Sequence, residues 1–299
     1  MKMSKVCFIP KEFRRSSLEL IHFMNDLIES YQDQGYVLTV RQLYYQLVAR
    51  DVISNDLNSY KRVAAMINDA KLAGLIDWDA IEDRTRDFIT RTRWLSASHI
   101  LNATIHNFHM NMWAEQDHQV YVIVEKEALV GVLERTCRNF DVPLLAARGY
   151  PSSSVLYDFA KNHIVNKPTH KSHIIIHLGD HDPSGLDMTR DLDERIRLLS
   201  HGESYLKIKR VALNYEQIEE LQPPKNPAKD TDSRFKEYRK RYGESSWELD
   251  ALSPEFLNDL VSSNIKKYID QDAWDLRASK IRAVKNKLQQ VSDDFEGGE

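Results

Sequence analysis

Two short apolar runs, each delivering carboxylates just past its end, constrain this chain more than any other feature. The first, residues 120–124 within QVYVIVEKEAL, ends on Glu125. The second, residues 173–178 within HIIIHLGDHDPSGLD, ends on Asp180, His181 and Asp182. Runs of this length, rich in β-branched residues and bounded by polar or Gly-containing turns, read as buried strands. In an open parallel sheet, ligands gather outside the carboxyl ends of the strands. If both runs belong to one such sheet, Glu125, Asp180 and Asp182 converge at its edge. Three carboxylates repel one another unless a cation holds them. Oxygen-only donors suit Mg²⁺ or another hard ion, which keeps waters and takes phosphate oxygens as further ligands.

Around these runs strand and helix alternate. Strand 120–124 leads to a helix over about 126–139, and a short strand at 143–146 leads through Arg148-Gly149-Tyr150-Pro151 to a helix over 152–163. Strand 173–178 leads to a helix over 185–199, and strand 205–213 completes the series. This alternation predicts a parallel sheet with helices on both faces, an α/β domain over 119–215. Ahead of it, an amphipathic helix over 16–34 is followed by a helix capped by Thr39, a polar turn at 54–58, a second helix stopped by Gly74 and a short extended segment. That order suggests a winged-helix-like domain over 1–86. Residues 87–118 read as a helical connector. Residues 216–299 hold the Pro-rich loop QPPKNPAKDTD, further helices to about residue 290 and a disordered end, SDDFEGGE.

Composition narrows the function classes. A hydrophobic content of 42% with 29% charged residues fits a soluble globular protein rather than a disordered one. The longest apolar runs fall far short of the roughly 18 residues a membrane helix needs. Residues 1–15 lack the apolar centre of a signal peptide, so a cytoplasmic location is expected. Two cysteines, Cys7 and Cys137, exclude a disulfide framework or a zinc knuckle. The net charge of −4 does not mark a nucleic-acid binder, but charge is unevenly spread. Lys225, Lys229, Arg234, Lys236, Arg239, Lys240 and Arg241 make 225–241 basic, either a backbone-phosphate contact or a solvated helix face.

Each motif has a plain alternative. Asp180 and Asp182 can share one opening, or can cap a helix that starts at Pro183. Lys126 can meet a phosphate or stand solvated in the first turn of its helix. Arg148 lies on the same edge as the acids, beside helix-start amides at 152–154 that suit an anion. In Arg41-Gln42-Leu43-Tyr44-Tyr45, adjacent residues point about 100° apart on a helix, so one tyrosine can pack inside while the other is exposed. A phenol with a pKa near 10 is a poor nucleophile unless an Arg or a metal favours phenolate. Spacing alone favours two core tyrosines.

Taken together, the Glu125 strand, Arg148-Gly149-Tyr150-Pro151 and Asp180-His181-Asp182-Pro183-Ser184-Gly185 resemble a Toprim domain. More narrowly, they resemble that of the DNA topoisomerase VI A subunit and the related meiotic double-strand-break protein. That family sets a winged-helix domain with an Arg-x-x-Tyr-Tyr motif before Toprim, matched here by Arg41, Tyr44 and Tyr45. The stretch WELDAL, residues 247–252, is similar to a further motif of the same family. The resemblance covers roughly residues 37–260. It implies Mg²⁺-dependent cleavage of double-stranded DNA, with Tyr45 as nucleophile forming a 5′-phosphotyrosine link and Arg41 stabilising charge. Glu125, Asp180 and Asp182 would be the metal ligands, with Glu125 also serving the chemistry. Lys126, Arg148, Lys236, Arg239, Lys240 and Arg241 would contact DNA. A homodimer is implied, the tyrosine of one subunit meeting the metal of the other. No ATP-binding domain is visible, so strand passage would need a separate ATPase subunit. Two other readings stay open. One is a Toprim nuclease in which metal-bound water attacks and Tyr45 only packs. The other is a non-catalytic DNA-binding module.

Overall fold

Three helices open the chain because three stretches repeat apolar residues every three or four positions. Helix α1 (Arg15–Asp33) buries Ile21, Met24, Leu27, Ile28 and Tyr31. A two-residue strand, β1 (Leu38–Thr39), runs into α2 (Val40–Val48). Thr39 and Gln42 form a reciprocal capping box, so the polar side chains flanking this start satisfy its free amides. Asp56 caps α3 (Leu57–Leu72), and Val63, Ile67 and Ala70 close the core against α1 and α2. β2 (Ile81–Glu82) pairs with β1 in parallel. The computed structural model describes residues 5–82, 93–94, 96–165, 171–202 and 205–296.

Helix α4 (Ala97–Asn107) is what the structure has of the connector. Residues 108–117 are not helical, against expectation, and 87–92 and 95 lie outside the described residues. Strand β3 (His118–Val124) and α5 (Val130–Asn139) then begin a β–α series. It continues with β4 (Leu144–Ala146), α6 (Ser153–Phe159), β5 (Ser172–Leu178), α7 (Pro183–Leu199) and β6 (Leu206–Ala212). The four strands form one parallel sheet in the order β4-β3-β5-β6. The central pair is buried on both faces, which is why its sequence reads as continuous apolar runs rather than alternation. Val120, Val122, Val124, Ile174, Ile176 and Leu178 face a core shared with α5. Tyr121, Ile123 and Ile175 face the other, closed by Leu156, Met188, Leu192 and Ile196. Val124 pairs with Leu178, so the residues that follow each strand emerge level at one edge.

Beyond the sheet, α8 (Tyr215–Leu221) is a short helix that the sequence reading did not anticipate. β7 (Asn226–Pro227) and β8 (Ser245–Ser246) pair antiparallel and flank α9 (Phe235–Tyr242). Pro254 at its first turn starts α10 (Pro254–Lys266), which packs on α5. α11 (Gln271–Glu296) packs on α4 and runs past residue 290, so the expected disordered end is helical to Glu296. Among the described residues, no helix is long and apolar enough to cross a membrane.

Candidate active site

The level exit of β3 and β5 brings Glu125 and Asp180 together. Glu125 Oε2 accepts a hydrogen bond from the Asp180 amide at 2.8 Å. Asp180 Oδ1 in turn accepts from the Leu249 amide at 2.8 Å. Two glycines make this closeness possible. A Cβ on Gly179 would come 3.0 Å from Glu125 Oε2, and one on Gly185 would come 2.3 Å from the Asp180 carbonyl oxygen. Asp182 behaves as the capping alternative describes: its Oδ1 accepts from the Gly185 amide at 2.6 Å and from Ser184 Oγ at 2.9 Å, capping α7. Arg210, unforeseen in the sequence, lies beneath the edge. Its guanidinium donates to the carbonyls of Gly179, Asp180, Gly185 and Leu213 at 2.6–3.2 Å, tying the turn after β5 to β6 and α7.

Two further acids complete the edge. The backbones of His181 and Trp247 exchange hydrogen bonds at 2.9 and 3.0 Å, which sets Glu248 and Asp250 beside Asp180. His181 points away from the acids into a ring of aromatics, Tyr215, Tyr238, Tyr242 and Trp247, and Tyr238 Oη lies 3.0 Å from its Nδ1. Burial holds the His181 imidazole down at about 4, so it is neutral and structural. Lys126 is neither solvated nor turned outward. Its ammonium lies 3.0 Å from Asp180 Oδ2 and 3.3 Å from Asp250 Oδ1 and also pairs with Glu248, and the side chain is 15% exposed. Burial, followed by the charge of Asp180, pushes the Glu125 carboxyl up. Burial likewise pushes Asp180 up, against the pull of Lys126.

The same acids reach the tyrosines through Arg41. Its Nε lies 2.8 Å from Asp250 Oδ2 and its Nη2 2.9 Å from Glu248 Oε2, and its guanidinium carbon sits 5.8 Å from the centre of the Tyr45 ring. Both tyrosines are buried, as their spacing favours. Their hydroxyls differ. Tyr44 Oη is spent on the turn at 54–56, 3.1 Å from Asn55 Oδ1 and 3.2 Å from the Asp56 carbonyl. The Tyr45 ring lies beside Arg41 and lines the same cavity as Asn226. Burial, with Asp250 adding to it, raises the Tyr45 phenol above its ordinary value. Arg41, Tyr44, Tyr45, Tyr60, Asn226 and Glu248 line a cavity of about 480 Å³.

The remaining basic residues that pair do so outside this network. Arg148 is exposed and pairs with Glu127. In the same turn, Tyr150 and Arg234 both bond Asp187, at 2.8 and 2.6 Å, clamping the turn to α7 and the start of α9. Lys236, Arg239, Lys240 and Arg241 stand exposed on α9, with Arg239 on Glu244 and Lys240 on Glu237.

The fit to a hard dication can be judged from these contacts. Among the described residues, no three His, Cys, Asp or Glu side chains stand in ion-holding geometry. Asp182 is turned to its cap, and Lys126 supplies the charge that Asp180, Glu248 and Asp250 require. The chemistry of the donors nonetheless suits Mg²⁺, since Glu125, Asp180 and Asp182 all offer carboxylate oxygens. No family model matches the chain, and no curated protein matches it.

Proposed function

We propose that this chain is a Mg²⁺-dependent DNA-cleaving enzyme of the topoisomerase VI A type, with Tyr45 as nucleophile. The observation that carries the reading is the continuity of the network. Tyr45 meets Arg41, Arg41 meets Asp250 and Glu248, these meet Lys126, and Lys126 meets Asp180, which is bonded to Glu125. Tyr45 is thereby linked through Arg41 to the acids of its own chain. Tyr44 makes a natural contrast, since its hydroxyl serves the turn at 54–56.

Glu125, Asp180 and Asp182 would hold Mg²⁺, Asp182 through the oxygen not used in its cap. An ion bound there would supply positive charge to offset that of the scissile phosphate. Tyr45 Oη forms a bond to phosphorus as the bond from phosphorus to the 3′ oxygen breaks. The proton lost by the phenol is matched by one gained on the 3′ oxygen, leaving a 5′-phosphotyrosine and a 3′-hydroxyl. Burial keeps the phenol neutral at rest, so proton loss accompanies attack, and Arg41 offsets the charge that develops. The domains fit this reading as a winged-helix-like unit over 1–86 bearing Tyr45, a connector, a Toprim unit over 119–215 and a C-terminal extension that supplies Glu248 and Asp250.

The raised phenol also favours a second reading, hydrolysis by water with Tyr45 as pocket wall. One assay separates the two. The protein is incubated with labelled double-stranded DNA and Mg²⁺, then denatured, and protein-bound DNA is measured. Transesterification gives an adduct that Tyr45→Phe abolishes and Tyr44→Phe retains. Hydrolysis gives cleavage without adduct, intact in Tyr45→Phe and lost in Asp180→Ala. Absence of any cleavage leaves a DNA-binding module and sinks both.

A further inference from the structure

We infer that Lys126 is a tethered counter-ion that neutralises the acids of the ion-free protein and is displaced when Mg²⁺ binds. The inference rests on the metal reading above but adds a role that neither phosphate contact nor a solvated helix start gives. Three carboxylates, Asp180, Glu248 and Asp250, converge on one ammonium. They come from two distant parts of the chain, the turn after β5 and the segment after β8, and Lys126 from a third, so the convergence is a product of the fold rather than of local sequence.

The anchoring of Lys126 suits exchange. Its backbone directly follows Glu125, whose amide donates to the Leu178 carbonyl at 2.9 Å, so the base of the side chain is fixed by the sheet. The head sits on a flexible four-carbon stem and carries a compact charge with three rotatable donors. Such a group can release carboxylates without moving the main chain, whereas Arg210, bonded to four carbonyls, cannot. Burial makes the acids dependent on some cation. Asp250 has no side-chain exposure and Asp180 10%, and removing the partner of a buried charge is strongly destabilising. An ammonium and a dication thus compete for Asp180, the one carboxylate that both pairs with Lys126 and belongs to the proposed ion-binding set.

The test uses the wild-type protein first. Reductive methylation with formaldehyde and cyanoborohydride, mapped by mass spectrometry, should leave Lys126 protected without Mg²⁺ and label it about tenfold faster with Mg²⁺. Exposed Lys236 should label equally in both. Calorimetry then compares variants. Lys126→Gln should bind Mg²⁺ about tenfold more tightly than wild type, and Lys126→Arg, which keeps the charge, should stay near wild type. A Lys126→Gln protein that folds only with Mg²⁺ would support the same conclusion, and one that folds in neither condition leaves the wild-type labelling to decide. Equal Lys126 labelling in both conditions, or unchanged affinity in Lys126→Gln, overturns the inference while Mg²⁺ uptake keeps the metal reading standing. If no Mg²⁺ is taken up at all, both fall.

Discussion

The carboxylate edge and the tyrosine pocket are joined through Arg41 but built differently. At the edge, position comes from the main chain. Register between β3 and β5 sets Glu125 level with the turn, backbone amides hold Glu125 and Asp180, and Arg210 binds the turn's carbonyls. In the pocket, position comes from side chains. Asn55 bonds Asn226 at 2.7 Å and the Lys225 carbonyl at 3.0 Å, reaching some 170 residues along the chain. The edge should therefore tolerate little backbone change but keep its shape when one acid is neutralised. The pocket can adjust side chain by side chain.

The sharpest break of this comparison is Asp180→Asn. Asparagine keeps the acceptor for the Leu249 amide, so the fold should hold while the charge is lost. DNA cleavage should fall about a thousandfold, as for loss of one preorganised electrostatic group, with the melting curve close to wild type. Cleavage within tenfold of wild type would move the reaction away from the edge. Next in size is Gly185→Ala. The added methyl meets a backbone oxygen at 2.3 Å, which no rotamer relieves. A loss of about 3 kcal/mol in urea unfolding is expected, the upper range for overpacking. A loss below about 1 kcal/mol would mean that the turn is as adjustable as the pocket.

That contrast also explains what the sequence made legible. The central strands were readable because a buried parallel strand needs an unbroken apolar run, and the carboxylates were readable because they follow those runs directly. Asp182 was ambiguous for a physical reason: Asp followed by Pro is equally a helix cap, and the cap claims one of its oxygens. Arg210 left a usable trace. It shares alternation parity with Leu206 and Ile208, which puts a charged residue on an inward face of β6. Glu248 and Asp250 left none beyond the likeness of WELDAL. Their place depends on the bridge between His181 and Trp247, a contact between distant segments that no local period encodes. The Tyr45 pocket was illegible for the same reason, since helix spacing alone cannot say which hydroxyl the C-terminal segment will meet.

Below the edge, His177 gives the comparison a pH axis that the pocket lacks. It is buried on β5, with Nδ1 2.8 Å from Thr189 Oγ1, and burial followed by the nearby charge of Arg210 holds its imidazole down at about 3. A depressed histidine is neutral when folded and takes up a proton on unfolding. The unfolded state binds more protons between about pH 6.5 and 3, so stability is full above that window and falls as pH falls through it. At pH 5 the group should cost about 2 kcal/mol relative to pH 7. His177→Gln does not titrate, so its stability gap to wild type should narrow by about that amount between pH 7 and pH 5. A gap that is constant with pH would show that His177 binds its proton equally well folded and unfolded.

The smallest effects belong to α9, where charge is arranged in the opposite way. At the edge, opposite charges are buried against one another. On α9, only Tyr238 is buried, and the basic side chains face water, Arg239 and Lys240 in short-range pairs with Glu244 and Glu237. Lys236 and Arg241 are exposed and outside those pairs, so Lys236→Ala with Arg241→Ala should change unfolding free energy by no more than about 0.5 kcal/mol. If the face holds DNA backbone, each lost contact removes one neutralised phosphate. The plot of log affinity against log salt should then flatten by about 2 in the double variant, with affinity falling evenly across unrelated sequences. An unchanged slope would make α9 a solvated face, and DNA would have to be held by other basic groups, Arg148 at the edge among them.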